Sequence, residues 1–391
     1  MADKIPTSPT PTKYAAGVAK PFLGVNEMRL TGRQWVATIL IAICFACGFP
    51  SSWKHFESFA TGPDYRIPYA LSRDYWLYQR RLDQLPSSTI PVIGDSVVWG
   101  EYVRNDGTLS HYLNQRSGSP TAFANCGVNG MFPLALEGLL RDYGSAMSRR
   151  KVILQCNLLW LSSPKADLSA PGDGSVNHSR LLPQFGVEIP GYTADLSERL
   201  SATFERHVPL LAWSQHIDTS YFGDKSIPQW TLEQDSSEPP RLPNAWKNPL
   251  ENIGCGIPGE PAVDPQRGWK SYRHHPWNSD GAEPVSFDWV STDRSLQFAA
   301  FLRLVRLLKS RGDDVLVVLG PFNAHMDQTN RSESIRQQAG DAIAREQVVI
   351  VIPETLPSNL YADASHPLTE GYAKLADEIA NTPDFQQWLA K

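Results

Sequence analysis

The chain has 391 residues, room for one large domain or two modest ones, and 36 lysines and arginines against 41 acidic residues leave a net charge of −5. No run rich in lysine and arginine appears, which excludes the phosphate-neutralising surface that nucleic-acid binding requires, and no nucleic-acid partner is expected. Apolar residues at 41%, charged residues at 20% and five irregularly spaced cysteines also exclude a wholly disordered chain, a polytopic membrane protein and a disulfide scaffold.

An apolar segment near the start predicts a membrane anchor. Residues 34–53 carry no charge, and their length matches the roughly 20 apolar residues that a spanning helix needs. Residues 1–33 hold five basic against two acidic side chains, which favours a cytoplasmic location, and they lack apolar periodicity. We therefore expect a disordered cytoplasmic tail over 1–33, an uncleaved signal anchor over 34–53, and the remainder outside the membrane. A cleaved signal peptide is the alternative, which a mature N-terminus after Cys47 would support.

Beyond the anchor, the pattern predicts a stalk or first helix over 54–88 and then an alternation of strands and helices. Short apolar runs, rich in β-branched residues, predict buried strands at 89–93, 123–126, 151–156, 314–319 and 348–352. Apolar residues at helical spacing predict helices at 69–85, 134–147, 293–311, 330–347 and 368–380. This alternation predicts an α/β domain over 89–391, with three α/β/α layers around a parallel five-stranded sheet of the flavodoxin-like kind.

Residues 162–290 interrupt the alternation. The segment holds 15 of the 31 prolines, and only 194–217 has the apolar spacing of a helix. A long stretch with so little regular structure is typical of a functional lid or a small subdomain, so we treat 162–290 as an insertion in the domain.

A candidate nucleophile follows the first predicted strand. Gly94, Asp95 and Ser96 occupy a strand-to-helix turn, where glycine permits a tight backbone and a serine hydroxyl can be presented to a ligand. Taken alone, the tripeptide is more often a helix-capping turn than a catalytic centre. Asp95 is expected to brace the turn.

A candidate base lies near the end of the chain. Asp363 and His366 precede the last predicted helix, and a spacing of three residues lets the carboxylate reach one imidazole nitrogen. An imidazole oriented in this way can take the proton of a serine hydroxyl, which is a weak nucleophile until it is deprotonated. Alone, the Asp-x-x-His pair is equally typical of a solvated turn.

Hydrogen-bond donors are expected at the same sheet edge. The second predicted strand runs into a glycine-rich turn at Gly127, whose backbone N–H can serve an oxyanion. Asn157 follows the third predicted strand and offers a side-chain amide, a donor of the kind that can be worth about a hundredfold to a thousandfold in rate.

Taken in order, these motifs resemble the four sequence blocks of the SGNH/GDSL hydrolase family. They are Gly-Asp-Ser after the first strand, Asn-x-Gly-x-x-Gly after the second, an asparagine after the third and Asp-x-x-His-Pro before the last helix. The resemblance covers about 89–380, apart from 162–290. It implies a catalytic triad and an oxyanion hole without a metal or other cofactor. The catalytic residues would be Ser96, Asp363 and His366, and the oxyanion donors Ser96, Gly127 and Asn157.

The third block departs from the family pattern. The family usually has Gly-x-Asn-Asp there, whereas residues 155–158 read Gln-Cys-Asn-Leu, which leaves Asn125 and Asn129 as alternative donors. No Gly-x-Ser-x-Gly elbow occurs, which disfavours an ordinary α/β-hydrolase.

Two other clusters contain residue types that can carry chemistry. His274 and His275 with Asp280 could ligate a metal, but paired histidines in a proline-rich loop are usually solvated, and a zinc site needs three or four convergent ligands. Cys126 and Cys156 end neighbouring predicted strands and could either form a disulfide outside the cytoplasm or remain buried thiols.

The resemblance and the anchor together indicate a serine esterase of the cell membrane, with its N-terminus cytoplasmic and its catalytic domain extracytoplasmic. Its expected substrates are acyl esters, acetyl esters above all, of carbohydrate or envelope polymer. One alternative is an O-acyltransferase that modifies an envelope polysaccharide together with a membrane partner supplying acyl groups. Another is a non-catalytic envelope scaffold or polysaccharide-binding module.

Overall fold

The computed structural model describes residues 30–57, 61, 64–172, 176–222, 273 and 275–391. Most of the tail predicted over 1–33 and a large part of the insertion predicted over 162–290 lie outside these residues. The chain divides into two units between Phe45 and Ala46.

Helix α1, Gly32–Phe56, contains the apolar segment predicted at 34–53. Its first part exposes large apolar side chains, for example Ile41 at 69% of its surface. Over Gly32–His55 it is long and apolar enough to cross a membrane, as predicted from its length and composition.

The sheet of the second unit has five parallel strands, and this confirms the predicted α/β class with a parallel five-stranded sheet. Their order is β2-β1-β3-β4-β5, the order of flavodoxin-like sheets, in which the direction of winding reverses between β1 and β3. The strands are β1 Ile90–Gly94, β2 Phe123–Gly127, β3 Lys151–Cys156, β4 Asp314–Leu319 and β5 Val349–Val351.

Both faces of the sheet are buried because side chains alternate between two apolar cores. Ile93, Leu154 and Val317 point into one core, whereas the adjacent Val92 and Ile153 point into the other. A strand buried on both faces must be apolar throughout, which explains the continuous apolar runs of the sequence.

Helices cover both faces. The first core is covered by α2 Tyr75–Asp83, α5 Pro133–Tyr143, α8 Leu296–Ser310 and α9 Ser332–Ala344. The second core is covered by α3 Ser96–Trp99, α4 Leu109–Ser117, α10 Thr369–Asn381 and α11 Pro383–Ala390. Sequence patterns missed α3, α4 and α11, which are short and depend on tertiary packing more than on periodicity.

Where the structure describes it, the segment 54–88 packs on the α/β unit, so it forms the first helix of the two predicted alternatives, a stalk or a first helix. Leu77 and Leu82 of α2 are nearly inaccessible in the first core, and residues as early as Tyr65 join them. Asp74 caps α2 through the backbone N–H of Leu77, at 2.9 Å. The predicted helix at 69–85 is therefore shorter than expected.

Over 194–217, where the sequence predicts a single helix, the insertion forms two helices. They are α6 Leu196–His207 and α7 Pro209–Ile217. Val208 ends the first and precedes the second, and Pro209 starts a new helix because proline lacks the N–H that a continuing helix would need. The insertion also supplies Asp167, whose carboxylate accepts hydrogen bonds from the hydroxyl of Ser295 and from the first N–H groups of α8.

Cys126 and Cys156 are both buried free thiols, so the alternative of a disulfide between them is wrong. Strand β1 lies between β2 and β3, which places the two cysteines two strand spacings apart, roughly 9.6 Å. A disulfide requires Cα atoms within about 7 Å.

A buried cluster of two acidic groups around one histidine joins the residue after α1, the N-cap of α2 and α7. His216 donates through Nδ1 to Asp74 at 2.6 Å and through Nε2 to Glu57 at 2.6 Å. Ser220 and Tyr221 add hydrogen bonds to the two carboxylates, at 2.6 and 2.9 Å. Burial lowers the pKa of His216, but Asp74 and Glu57 outweigh burial and raise it to about 9, so the imidazole is cationic at neutral pH.

Replacing His216→Ala should destabilise the protein by about 3–5 kcal/mol, since two buried carboxylates lose their counter-charge. Urea unfolding of the full-length protein in detergent measures this, with the exposed His207→Ala on α6 as control. The raised pKa fixes the sign of the pH dependence: the stabilisation by His216 is complete below about pH 6.5 and declines as the pH rises through about 9. Equal stability of the two variants would contradict the role given to the cluster.

Candidate active site

Ser96 follows β1 at the carboxyl edge of the sheet. It is partly exposed, whereas the strand before it and the residues Val97–Trp99 after it are buried. Gly94 makes this turn feasible, because a Cβ there would lie 2.5 Å from Val98 and 2.9 Å from the Gln155 side chain. The hydroxyl of Ser96 is thereby presented above a tightly packed base.

Asp95 braces the turn, in agreement with the expectation from sequence. One carboxylate oxygen accepts the backbone N–H of Val97 at 2.8 Å. The other accepts the side chains of Asn157 at 2.8 Å and Trp160 at 2.9 Å. Burial raises the pKa of Asp95, against these hydrogen bonds and the nearby His366.

A buried arginine, not recognised in the sequence, holds the residues after Ser96. The guanidinium of Arg66 donates to the carbonyl oxygens of Trp99, Gly100 and Val103 and lies 4.0 Å from the centre of the Trp99 ring. Because Arg66 precedes β1 by more than twenty residues and sits in no motif, no local pattern points to it. These hydrogen bonds hold the carboxyl end of the short α3 in place.

The three predicted catalytic side chains form a continuous chain of hydrogen bonds. Nε2 of His366 lies 2.8 Å from Oγ of Ser96. Nδ1 of His366 lies 2.8 Å from each carboxylate oxygen of Asp363. The order serine, imidazole, carboxylate is the geometry in which histidine can accept the serine proton while the acid orients the ring.

The loop that carries Asp363 and His366 is held by hydrogen bonds within its own turn and by the segment after β4. The backbone N–H groups of Ser365 and His366 donate to Asp363, each at 2.9 Å. Asn323, which is buried after β4, donates its backbone N–H to the carbonyl of Ala364 at 2.8 Å. The loop thus takes its position from the edge of the sheet as well as from its own turn.

The charges around His366 make it strongly basic. Burial lowers its pKa, but Asp363 outweighs burial, Glu101 and Asp95 add to the effect, and the pKa rises to about 9. Burial alone would raise the pKa of Asp363, but His366 and the backbone N–H groups outweigh burial and lower it to about 2. Asp363 is therefore ionised at any pH at which the protein would work.

Gly127, the expected second oxyanion donor, does not present a free N–H. Its backbone N–H donates to Oδ1 of Asn125 at 3.1 Å, within the same turn. Gly127 pairs with Gly94 across β1 and β2, and a Cβ on it would lie 2.3 Å from the backbone nitrogen of Trp99. The glycine is explained by this close approach of α3 to the sheet.

Of the three asparagines considered as donors, Asn125 is occupied, because its Nδ2 donates to the carbonyls of Val98 at 2.8 Å and Trp99 at 3.4 Å. Asn157 lies at the carboxyl end of β3 and uses one Nδ2 hydrogen on Asp95, which leaves its second hydrogen for a ligand. Nδ2 of Asn129 is buried near Glu101 and makes no well-formed hydrogen bond within the described part of the chain.

The insertion reaches the site through His178. Its Nε2 lies 2.9 Å from the carbonyl oxygen of Asn129 and its Nδ1 lies 3.1 Å from the hydroxyl of Tyr75. Burial lowers the pKa of His178 to about 4, so the ring is neutral at physiological pH and couples the turn after β2 to α2.

Two further residues near the triad were missed by sequence reasoning. Oε2 of Glu101 lies 3.7 Å from Nε2 of His366. The ring of Tyr102 meets the imidazole edge to face, with centroids 5.4 Å apart. Their position directly after the Gly94–Gly100 turn is the signal that could have identified them.

The candidate metal ligands do not form a site in the described residues. His274 lies outside the described residues. Within the described part of the chain, no group of three or more histidine, cysteine, aspartate or glutamate side chains is arranged to hold an ion.

A comparison with protein-family models gives no match to this chain, and a comparison with curated proteins gives none either.

Replacing Gly127→Ala should destabilise the fold by about 1–3 kcal/mol, the usual cost of overpacking, because the added methyl meets backbone that cannot move aside. Gly172→Ala is the matched control, since a Cβ there meets nothing within 4 Å. Thermal unfolding of both variants measures the difference. A Gly127 variant as stable as the control would show that α3 does not pack on this glycine.

Proposed function

We propose that this chain is a serine ester hydrolase of the SGNH type, which acts outside the cytoplasmic membrane on acyl esters of carbohydrate or envelope polymer. The observation that carries the proposal is the contact of 2.8 Å between Ser96 and His366, with Asp363 bound to the other imidazole nitrogen. A scaffold or binding module has no need of an activated hydroxyl.

The proposed reaction begins with attack of Ser96 Oγ on the ester carbonyl. His366 takes the serine proton, Asp363 stabilises the imidazolium, and the proton then passes to the departing alcohol as the acyl-enzyme forms. The backbone N–H of Ser96, which stands at the start of α3 without an intrahelical acceptor, and the second Nδ2 hydrogen of Asn157 are the donors assigned to the oxyanion.

The second half-reaction decides between hydrolysis and transfer. Water releases the free acid, whereas a sugar hydroxyl that reaches the acyl-enzyme receives the acyl group, and both use His366 as base. The alternative of an O-acyltransferase, supplied with acyl groups by a membrane partner, thus shares the first step. The apolar α1 supports a location at the membrane, where a long polymer would be the accessible substrate.

A fluorophosphonate probe should label the full-length protein at Ser96, and labelling should vanish in Ser96→Ala. Replacing Asp363→Asn should lower kcat for a short-chain aryl ester by roughly 10³–10⁴-fold, since the imidazole then loses its orienting charge. Ser365→Ala is a nearby control that removes no member of the triad. Equal labelling of the wild type and Ser96→Ala would favour the scaffold.

The pH dependence of kcat/KM should follow His366. Only the neutral imidazole accepts a proton, and its pKa is raised to about 9, so kcat/KM should increase about tenfold per pH unit below that value and level off above it. Initial rates from pH 6 to 10 measure the profile. A rate independent of pH between 6 and 9 is incompatible with this base.

Hydrolysis and transfer can be separated by product analysis. The full-length protein is incubated with an acetylated oligosaccharide and an unacetylated one. Free acetate should form if water takes the acetyl group, and the second oligosaccharide should become acetylated if a sugar hydroxyl takes it. Ser96→Ala should give neither product. If the wild type also gave neither product and did not hydrolyse short-acyl esters, the proposed activity would be contradicted.

A further inference from the structure

Glu101 stands beside the proposed nucleophile and can be reached by a ligand. Its Oε2 lies 3.7 Å from Nε2 of His366, the same nitrogen that contacts Ser96, and 24% of its side-chain surface is exposed. Gly100, with φ of 88°, ends α3 in the left-handed region and turns the chain so that Glu101 faces the imidazole.

The exposure of Glu101 distinguishes it from Asp95, the other acid in this turn. Asp95 is 2% exposed and its carboxylate is occupied by a backbone N–H and two side-chain donors. A carboxylate used only to brace the fold would be expected to look like Asp95. The side chain of Glu101 instead keeps part of its surface exposed, beside His366.

The charges near the nucleophile are mainly negative. Asp95, Glu101 and Asp363 all lie close enough to His366 to raise its pKa. The cation Arg273 lies 5.7 Å from the Tyr102 ring centre, and its guanidinium donates to the carbonyl of Ala362. Once His366 is neutral and able to act as a base, a bound ligand therefore experiences a field of negative sign.

We propose that Glu101 is a specificity-determining residue, which selects neutral or amine-bearing acyl esters and rejects those that carry a carboxylate beside the scissile bond. The inference rests on the proposed function. It narrows the substrate class to esters of neutral sugars or amino sugars, and away from uronic-acid polymers.

The size of the effect follows from Coulomb's law. An anionic group about 6–7 Å from Glu101, in a site open to water on one side, is disfavoured by roughly tenfold to a hundredfold in kcat/KM relative to a neutral group. An ammonium group in the same position is favoured by a similar factor. Added salt should weaken both preferences, because the carboxylate is partly exposed.

Three p-nitrophenyl esters of similar size test the inference on the full-length protein in detergent. They are the butyrate, which is neutral, the monosuccinate, which is anionic, and the β-alaninate, which is cationic. The wild type should use the monosuccinate least. Glu101→Gln should raise the ratio of monosuccinate to butyrate kcat/KM by about tenfold and lower the ratio of β-alaninate to butyrate.

Two variants serve as controls. Glu346→Gln removes the same charge just before β5, at the opposite edge of the sheet from Ser96, and should leave both ratios within about twofold of the wild type. Glu101→Asp keeps the charge and should keep the preference, which separates charge from the loss of a contact. Circular dichroism verifies that each variant is folded.

The outcomes separate the two levels of the proposal. If the wild type hydrolyses butyrate through Ser96 but Glu101→Gln leaves the ratios unchanged, the selection by Glu101 is refuted and the esterase stands. A folded Glu101→Gln that loses all three activities also refutes it, because Glu101 would then be required for the reaction itself. If the wild type neither hydrolyses esters nor is labelled at Ser96, the proposed function itself is contradicted.

Discussion

The hydrogen bond between Ser96 and His366 joins two segments that are 270 residues apart in the chain. It can form only when β1 and the loop before α10 arrive at the same edge of the sheet. Parallel strands bring all their carboxyl ends to that edge, and the reversal of winding between β1 and β3 opens a crevice there. Every other feature of the candidate site is placed by, or acts on, this contact.

Close backbone packing fixes the nucleophile side of that contact. Gly94 and Gly127 are paired across β1 and β2, and the absence of both side chains lets α3 lie against the sheet. The guanidinium of Arg66 donates hydrogen bonds to carbonyl groups at and just after the end of α3. The glycine-rich turn, which sequence reasoning associates with an oxyanion, is thus used for packing, and the donors proposed for a ligand are the backbone N–H of Ser96 and the side-chain amide of Asn157.

One arrangement of charge has two consequences at the site. Asp363, Glu101 and Asp95 surround an imidazole that is buried, and they make it a strong base. The same negative charges act on whatever binds beside Ser96, so basicity of His366 and selection by ligand charge have a common cause.

The insertion is tied to this unit through polar contacts of its own, at His178 near the site and at His216 near the end of α1.

Local patterns in the sequence were sufficient for the strands, the apolar span of α1 and the candidates Ser96, Asp363 and His366, because burial on both faces, helix length and turn motifs leave signals within a few residues. Tertiary structure alone decided the strand order, which separates Cys126 from Cys156, the close approach of Gly127 to Trp99, and the partner of Asn157. It also decided the proximity of Glu101 to His366 and the assembly of Glu57, Asp74 and His216. These are contacts between groups far apart in sequence, and hydrophobic periodicity carries no information about which distant polar groups will meet.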